Sequence, residues 1–174
     1  DFIFIEGLDA NKATTISSSN KVVIDIDDTI TVRLKNLTIS GTDQYALTVG
    51  RGATLYAESL EVKNAQNGIT VHDGGIAYLS DITVSATSNA VLVTRNGTAR
   101  IYNDSLLQNS PVGLAVYYGS HAQVDNSTIK GNQLGVYMKQ ASLDVYGSTI
   151  SNNTEDGFLL HHNSSAEIDN SNIL

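Results

Sequence analysis

Residues 135–153 read GVYMKQASLDVYGSTISNN, and residues 113–132 just before them read GLAVYYGSHAQVDNSTIKGN. Apolar residues fall two apart in both: Val136 and Met138, then Leu143 and Val145, in the later stretch; Leu114 and Val116, then Ala122 and Val124, in the earlier one. A spacing of two puts both members of a pair on one face of a strand. Ile150 and Ile129 mark a third short strand, and Asn, Gly and Ser residues suited to tight bends lie between the strands. Each stretch is therefore three short strands and their turns.

The same order extends along the chain with a step of 22 or 23 residues. The first column is Ile24, Leu47, Ile69, Val91, Leu114, Val136 and Phe158, and a second runs two residues later from Ile26 to Leu160. Eight residues after the first column stand Val32, Leu55, Ala77, Ala99, Ala122 and Ala166; ten after it stand Leu34, Ala57, Leu79, Ile101, Val124 and Ile168. Fifteen after it stand Ile39, Val62, Val84, Leu106 and Ile129, closed by Ile173. In the sixth coil Leu143, Val145 and Ile150 fit these columns one residue early. The column thirteen residues on begins Leu37, Leu60, Ile82 and turns polar at Asp104, Ser127 and Ser171, with Ser148 again one residue early, which reads as a structural column of stacked hydrogen bonds.

Equivalent residues recur in one order, so like stacks on like only if neighbouring strands run parallel. A parallel return needs a dozen or more residues, which a coil of this length supplies. One coil cannot bury its apolar side alone, whereas stacked coils share a continuous core. The expected fold is all-β, a parallel β-helix solenoid of about seven coils over residues 22–174, with residues 1–21 as an N-terminal cap or partial coil. Strand pattern already from Asp1 to Ile5, and an end in mid-pattern at Leu174, read as a fragment of a longer protein.

Composition narrows the function. Ten basic against eighteen acidic residues give a net charge of −8, which disfavours a nucleic-acid partner. The absence of cysteine excludes disulfides and thiolate metal sites. No run of apolar residues is long enough for a transmembrane helix, so no membrane span is expected.

Gly135-Val136-Tyr137-Met138, followed by Val145 to Asn153, together with its earlier copy Val124 to Ile129, resembles the pectin-lyase-like superfamily of right-handed parallel β-helix proteins. The resemblance, with the coil length, implies a right-handed helix. It also implies a choice of functions, because the superfamily holds polysaccharide lyases, hydrolases, epimerases, phage tailspikes and bacterial surface adhesins. Members often bind along the outer face of the first strand and the turn after it.

That stripe supplies the candidate ligand-binding residues: Arg51, His72, Asp73, Arg95, Tyr117, Tyr118, Tyr137, Lys139, His161 and His162. Tyrosines would serve as platforms for sugar rings, and the charged residues would meet hydroxyls or carboxylates. A plainer reading makes Arg51, Asp73 and Arg95 an exposed ion-pair ladder, worth little to stability. Catalytic candidates are Arg95 and Lys139, as base and carboxylate-neutralising group of a lyase. The blocks that mark hydrolases of this fold are absent, apart from a lone Asp27-Asp28 pair. No cofactor is called for, although Asp25, Asp27 and Asp28 together offer the oxygens a calcium ion wants. Six Asn-x-Ser/Thr sequons begin at Asn36, Asn96, Asn103, Asn126, Asn152 and Asn163.

The expectation is an extracellular or surface β-helix, from a cell or a phage particle, acting as a rigid adhesion or carbohydrate-contacting scaffold. The alternatives are a catalytic fragment of a polysaccharide lyase, hydrolase or epimerase, and a purely structural solenoid that self-associates through its coil ends.

Overall fold

A computed structural model describes residues 2–8, 14–19, 21–41 and 44–174 of the chain. Every regular element among them is a strand, and every strand pairing is parallel. Coil 1 holds Val22–Ile26 and Thr31–Ser40; coil 2 starts with Tyr45–Val49. Two long strands, Thr54–Val71 and Ile76–Val93, each run through the second and third sides of one coil and the first side of the next. Later coils break cleanly into three, as in coil 5 with Val112–Tyr117, His121–Asp125 and Thr128–Lys130. Coil 7 holds Phe158–His161, Ser165–Asp169 and Asn172–Ile173. At the other end Phe2–Glu6 and Thr14–Ser17 both pair with Thr31–Ser40; Asp1 lies outside the described residues.

Sequence order is stacking order. Ile24, Leu47, Ile69, Val91, Leu114, Val136 and Phe158 pair in succession through the seven coils. From Leu47 to Val136 these residues are fully buried, and the second- and third-side columns join them in one core. Burying one such aliphatic side chain contributes roughly 1.5–3 kcal/mol, and the column repeats that gain coil after coil.

Two register details differ from the expected columns. In coil 4 the inward residue of the third strand is Leu107, paired with Val84 and Ile129, while Leu106 is only half-buried. The cause is a one-residue insertion in the turn before it. Other coils turn there on a single left-handed residue, such as Asn36, Ser59, Asp81 or Asn126, but coil 4 uses both Asn103 and Asp104. Ser105 therefore takes the inward place expected of Asp104. In coil 6 the opposite happens. The turn after the first strand has two left-handed residues in coil 5, Tyr118 and Gly119, and one in coil 6, Gln140. That deletion is why Leu143 and Val145 come one residue early.

Where the interior turns polar, backbone and side chain bond between coils. Ile82, Ser127 and Ser148 donate their backbone N–H to the hydroxyls of Ser105, Ser148 and Ser171, at 3.1–3.2 Å. A parallel ladder runs through the third turn, where Ser110 and Asn132 donate their N–H to the side-chain oxygens of Asn132 and Asn153, at 3.0 and 3.1 Å. Beside it the chain comes so close that a Cβ on Gly135 would lie 2.6 Å from the Gly157 carbonyl oxygen. No helix among the described residues is long and apolar enough to cross a membrane.

Candidate functional site

The outward residues of the first strands, Asp25, Thr48, Thr70, Leu92, Ala115, Tyr137 and Leu159, lie in one line because their strands pair in register. The turn that follows carries the charged and aromatic candidates. Asp28, Arg51, Asp73, Arg95, Tyr118, Gln140 and His162 all have φ between 38° and 59°. Left-handed backbone is costly for such residues. The coils offset the cost by bonding turn to turn: Thr29 N–H donates to the Arg51 carbonyl at 3.2 Å, and Asn96 N–H to the Tyr118 carbonyl at 3.2 Å. A turn opening on a left-handed residue, shortened by one residue only in coil 6, projects these side chains from the same edge.

The stripe has two halves. Over coils 1–4 a groove of about 260 Å³ has Asp25, Thr48, Thr70 and Leu92 as its floor. Val22 and Tyr45 stand at the strand starts, and Asp27, His72, Thr94 and Arg95 at the strand ends. Thr48 donates its hydroxyl to Asp25. The Thr70 hydroxyl and Asp27 Oδ1 are buried and have no hydrogen-bond partner among the described residues. Buried polar atoms are nearly always paired, so two unpaired ones in a single groove leave it with bonding capacity that the coils themselves do not use.

The charges of this half are already engaged. Arg51 pairs back with Asp27, and its Nε lies 3.1 Å from Asp28. Arg95 grips Asp73 with two bonds, Nε at 2.6 Å and Nη2 at 3.0 Å, and His72 Nδ1 lies 2.9 Å from the same carboxylate. The Arg95 hydrogen bond, helped by that of His72, holds the Asp73 carboxyl well below the usual range. The Arg51 hydrogen bond likewise lowers Asp27 against the opposing effect of burial. Arg51 with Asp27 and Asp28, and Arg95 with Asp73, thus form two separate groups and not one ladder, because Arg51 finds two carboxylates in the coil beneath it. The same pairing spends Asp27 and Asp28 on a guanidinium, and Asp25 on Thr48. Among the described residues no group of three or more His, Asp or Glu side chains is placed to hold a metal ion.

Over coils 5–7 the stripe is aromatic. Tyr118, Tyr117, Tyr137, His161 and His162 form an unbroken run with ring centroids 5.5–6.0 Å apart. Tyr117 meets Tyr137 edge to face, an arrangement aromatic rings prefer, and Lys139 Nζ sits 5.5 Å above the Tyr118 ring. Burial, with Tyr137 and Tyr118 adding to it, pushes the Tyr117 hydroxyl up to about 12, so it stays protonated and able to donate.

This geometry, a single rod with every coil in register, has a sequence counterpart. Residues 16–173 match the family described as the right handed beta helix region. The chain belongs to the right-handed β-helix family. No significant match was found among curated proteins or among solved structures. Within this β-helix, the candidates named from sequence divide between the groove side (His72 and Arg95 in its lining, Asp73 and Arg51 outside it as ion-pair partners of Arg95 and Asp27) and the aromatic run (Tyr117, Tyr118, Tyr137, Lys139, His161, His162). Arg95 and Lys139 belong to different halves, and each already has a partner. Tyr45, Thr70 and Thr94 line the groove and were not among the candidates. The repetition of threonine at Thr48 and Thr70 on the outward line was the available signal.

Proposed function

We propose that the protein is a rigid β-helical scaffold, outside the cell or on a surface, that holds carbohydrate along the outer face of its first strands. The observation that carries this reading is the unbroken run Tyr118–Tyr117–Tyr137–His161–His162, on the same stacked first strands as a groove that contains unpaired buried oxygens. Tyrosine offers an apolar ring body and a polar tip, which suits the two-sided character of a sugar ring. The stacked sheet fixes ring spacing without side-chain rearrangement, so little ordering entropy opposes binding. Binding fits the site better than turnover, because Arg95 is held by Asp73 and Lys139 lies over Tyr118.

A glycan array probed with the protein and with Tyr117→Ala and Tyr137→Ala tests it. Each variant is expected to weaken the bound glycans about tenfold, equivalent to about 1.4 kcal/mol. Binding unchanged in both variants, or no glycan bound by the parent protein, overturns the reading. Incubation with uronic-acid polymers should leave ultraviolet absorbance flat; a rise abolished by Arg95→Ala would establish a lyase instead.

A further inference from the structure

A larger cleft, about 480 Å³, lies on a different side of the rod, among the outward residues of the second strands. Two columns run side by side there. One is Phe4, Arg33, Tyr56, Tyr78 and Arg100; the other is Lys35, Glu58, Ser80 and Tyr102. Tyr56 and Tyr78 stack with ring centroids 5.0 Å apart and planes 7° from parallel. In the second column Ser80 is a short side chain between Glu58 one coil below and Tyr102 one coil above, and this gap opens the cleft beside the stacked rings.

The frame is fixed on each side. Arg33 Nη2 and Lys35 Nζ hold the two Glu58 oxygens at 3.0 and 2.9 Å. Those two cations lower the Glu58 carboxyl, Lys35 acting most strongly. Asn103 Nδ2 donates to the Ser80 hydroxyl at 3.0 Å. The Arg100 guanidinium lies over the Tyr102 ring at 5.6 Å and is itself tied to Asp125 at 2.9 Å.

We propose that this cleft is a second saccharide site, independent of the first-strand face, which seats one sugar ring over Ser80 between Tyr78 and Tyr102. The chemistry of the lining selects the ligand class. A purely apolar ligand would bury Glu58, Ser80 and Asn103 without returning their hydrogen bonds, at a cost. A simple ion would leave the tyrosines unused. A ring with apolar C–H faces and a hydroxyl rim satisfies both, donating to Glu58 and Ser80 and accepting from Arg33. The inference extends the reading of the protein as a carbohydrate-contacting scaffold, but it rests on other residues. The two sites are separated within each coil by the turn after the first strand. They therefore face different directions, and one rod holds two glycan chains rather than one chain twice.

The test is a titration of the whole protein, labelled with carbon-13 in its tyrosine rings, with soluble hexasaccharides: a neutral glucan, an oligouronate and a sulfated oligosaccharide. At least one is expected to shift the Tyr56, Tyr78 and Tyr102 signals. Ser80→Tyr, which fills the gap beneath Tyr102, and Tyr102→Ala, which removes the upper wall, should each weaken that response at least tenfold while shifts at Tyr117 and Tyr137 persist. Circular dichroism of both variants establishes that the coils remain. Shifts confined to Tyr117, Tyr118 and Tyr137, no shifts at all, or shifts that survive both variants overturn the second site. Shifts confined to Tyr56, Tyr78 and Tyr102 support it and sink the first-strand reading.

Discussion

Replacing Asn132 with alanine tests whether the polar columns inside the rod carry its stability. Asn132 is 1% exposed. Its Oδ1 accepts from the Ser110 N–H at 3.0 Å, and its Nδ2 donates to the Leu107 carbonyl at 3.2 Å. Alanine leaves the Ser110 N–H buried without a partner, which costs about 1–3 kcal/mol, and removes a second bond worth about 1 kcal/mol. Asn132→Ala is therefore expected to cost about 2–4 kcal/mol, read from urea unfolding followed by circular dichroism. In a solenoid the loss falls on one interface between neighbouring coils. Hydrogen exchange should accordingly accelerate at the Ser110 amide and through coils 5–7 before it does in coils 2 and 3. Asn132→Asp adds a pH signature. Burial raises the carboxyl introduced there above its unfolded value of about 3.9, so the variant is most stable below that value and loses stability as pH rises through the folded pKa. A loss below about 0.5 kcal/mol for Asn132→Ala, the level of a neutral surface change, would refute the ladder as a source of stability.

Inserting one glycine between Gln140 and Ala141 restores the two-residue left-handed turn of coil 5. It should be tolerated, with a melting temperature close to that of the parent. The same insertion between Leu143 and Asp144 turns Val145 out of the core face and should abolish cooperative unfolding. Asp73 provides a pH test. Its folded carboxyl is depressed by Arg95 and His72, so its contribution is present above the unfolded value of about 3.9 and fades as pH falls. Arg95→Ala should move the Asp73 titration toward the ordinary carboxylate range by NMR, and its stability difference from the parent should shrink on acidification. A titration curve for Asp73 that does not move would rule the pair out as the cause.

The helix was legible because burial repeats. Leu47, Ile69 and Val91 must be apolar in every coil, and a rule enforced at each turn of the rod survives one missed residue. Turns obey a looser rule. The chain lengthens by one at Asn103–Asp104 and shortens by one at Gln140 without disturbing the strands on either side, so the spacing points to Leu106 where the core holds Leu107. No apolar pattern marks such a change, because the residues involved point to water. The candidate site was legible only as a stripe. That Arg51 would reach back to Asp27 and Asp28, and that Arg95 would meet Asp73, depends on side-chain reach within the turn, which spacing does not contain. The cleft at Ser80 escaped for a related reason: it is created by a small residue between larger ones in a column that sequence alone shows as unremarkably polar.

Polar residues that look alike in the sequence separate once the rod is wound. The six sequon asparagines, Asn36, Asn96, Asn103, Asn126, Asn152 and Asn163, all sit at positive φ. Asparagine tolerates that conformation better than most residues, and two positions later Thr98, Thr128 and Ser165 open the next strand, Ser105 turns inward, Thr38 lies within a strand and Thr154 stays in the turn. Turn geometry therefore suffices to generate these motifs, with no call on a modifying enzyme. Ser105, Asn132 and Ser148 are likewise explained, since each bonds across to a neighbouring coil. Thr70 and Asp27 Oδ1 are not explained this way. They are buried, they line one groove, and the coils above and below give them nothing to bond. Of the three buried side-chain oxygens without a partner among the described residues, these two share a groove while the Ser120 hydroxyl lies apart, and leaving the pair open costs stability that a bound hydroxyl would restore. A ligand that fills the groove should therefore raise the melting temperature of the parent, and Thr70→Val should remove most of that rise while making the free protein no less stable.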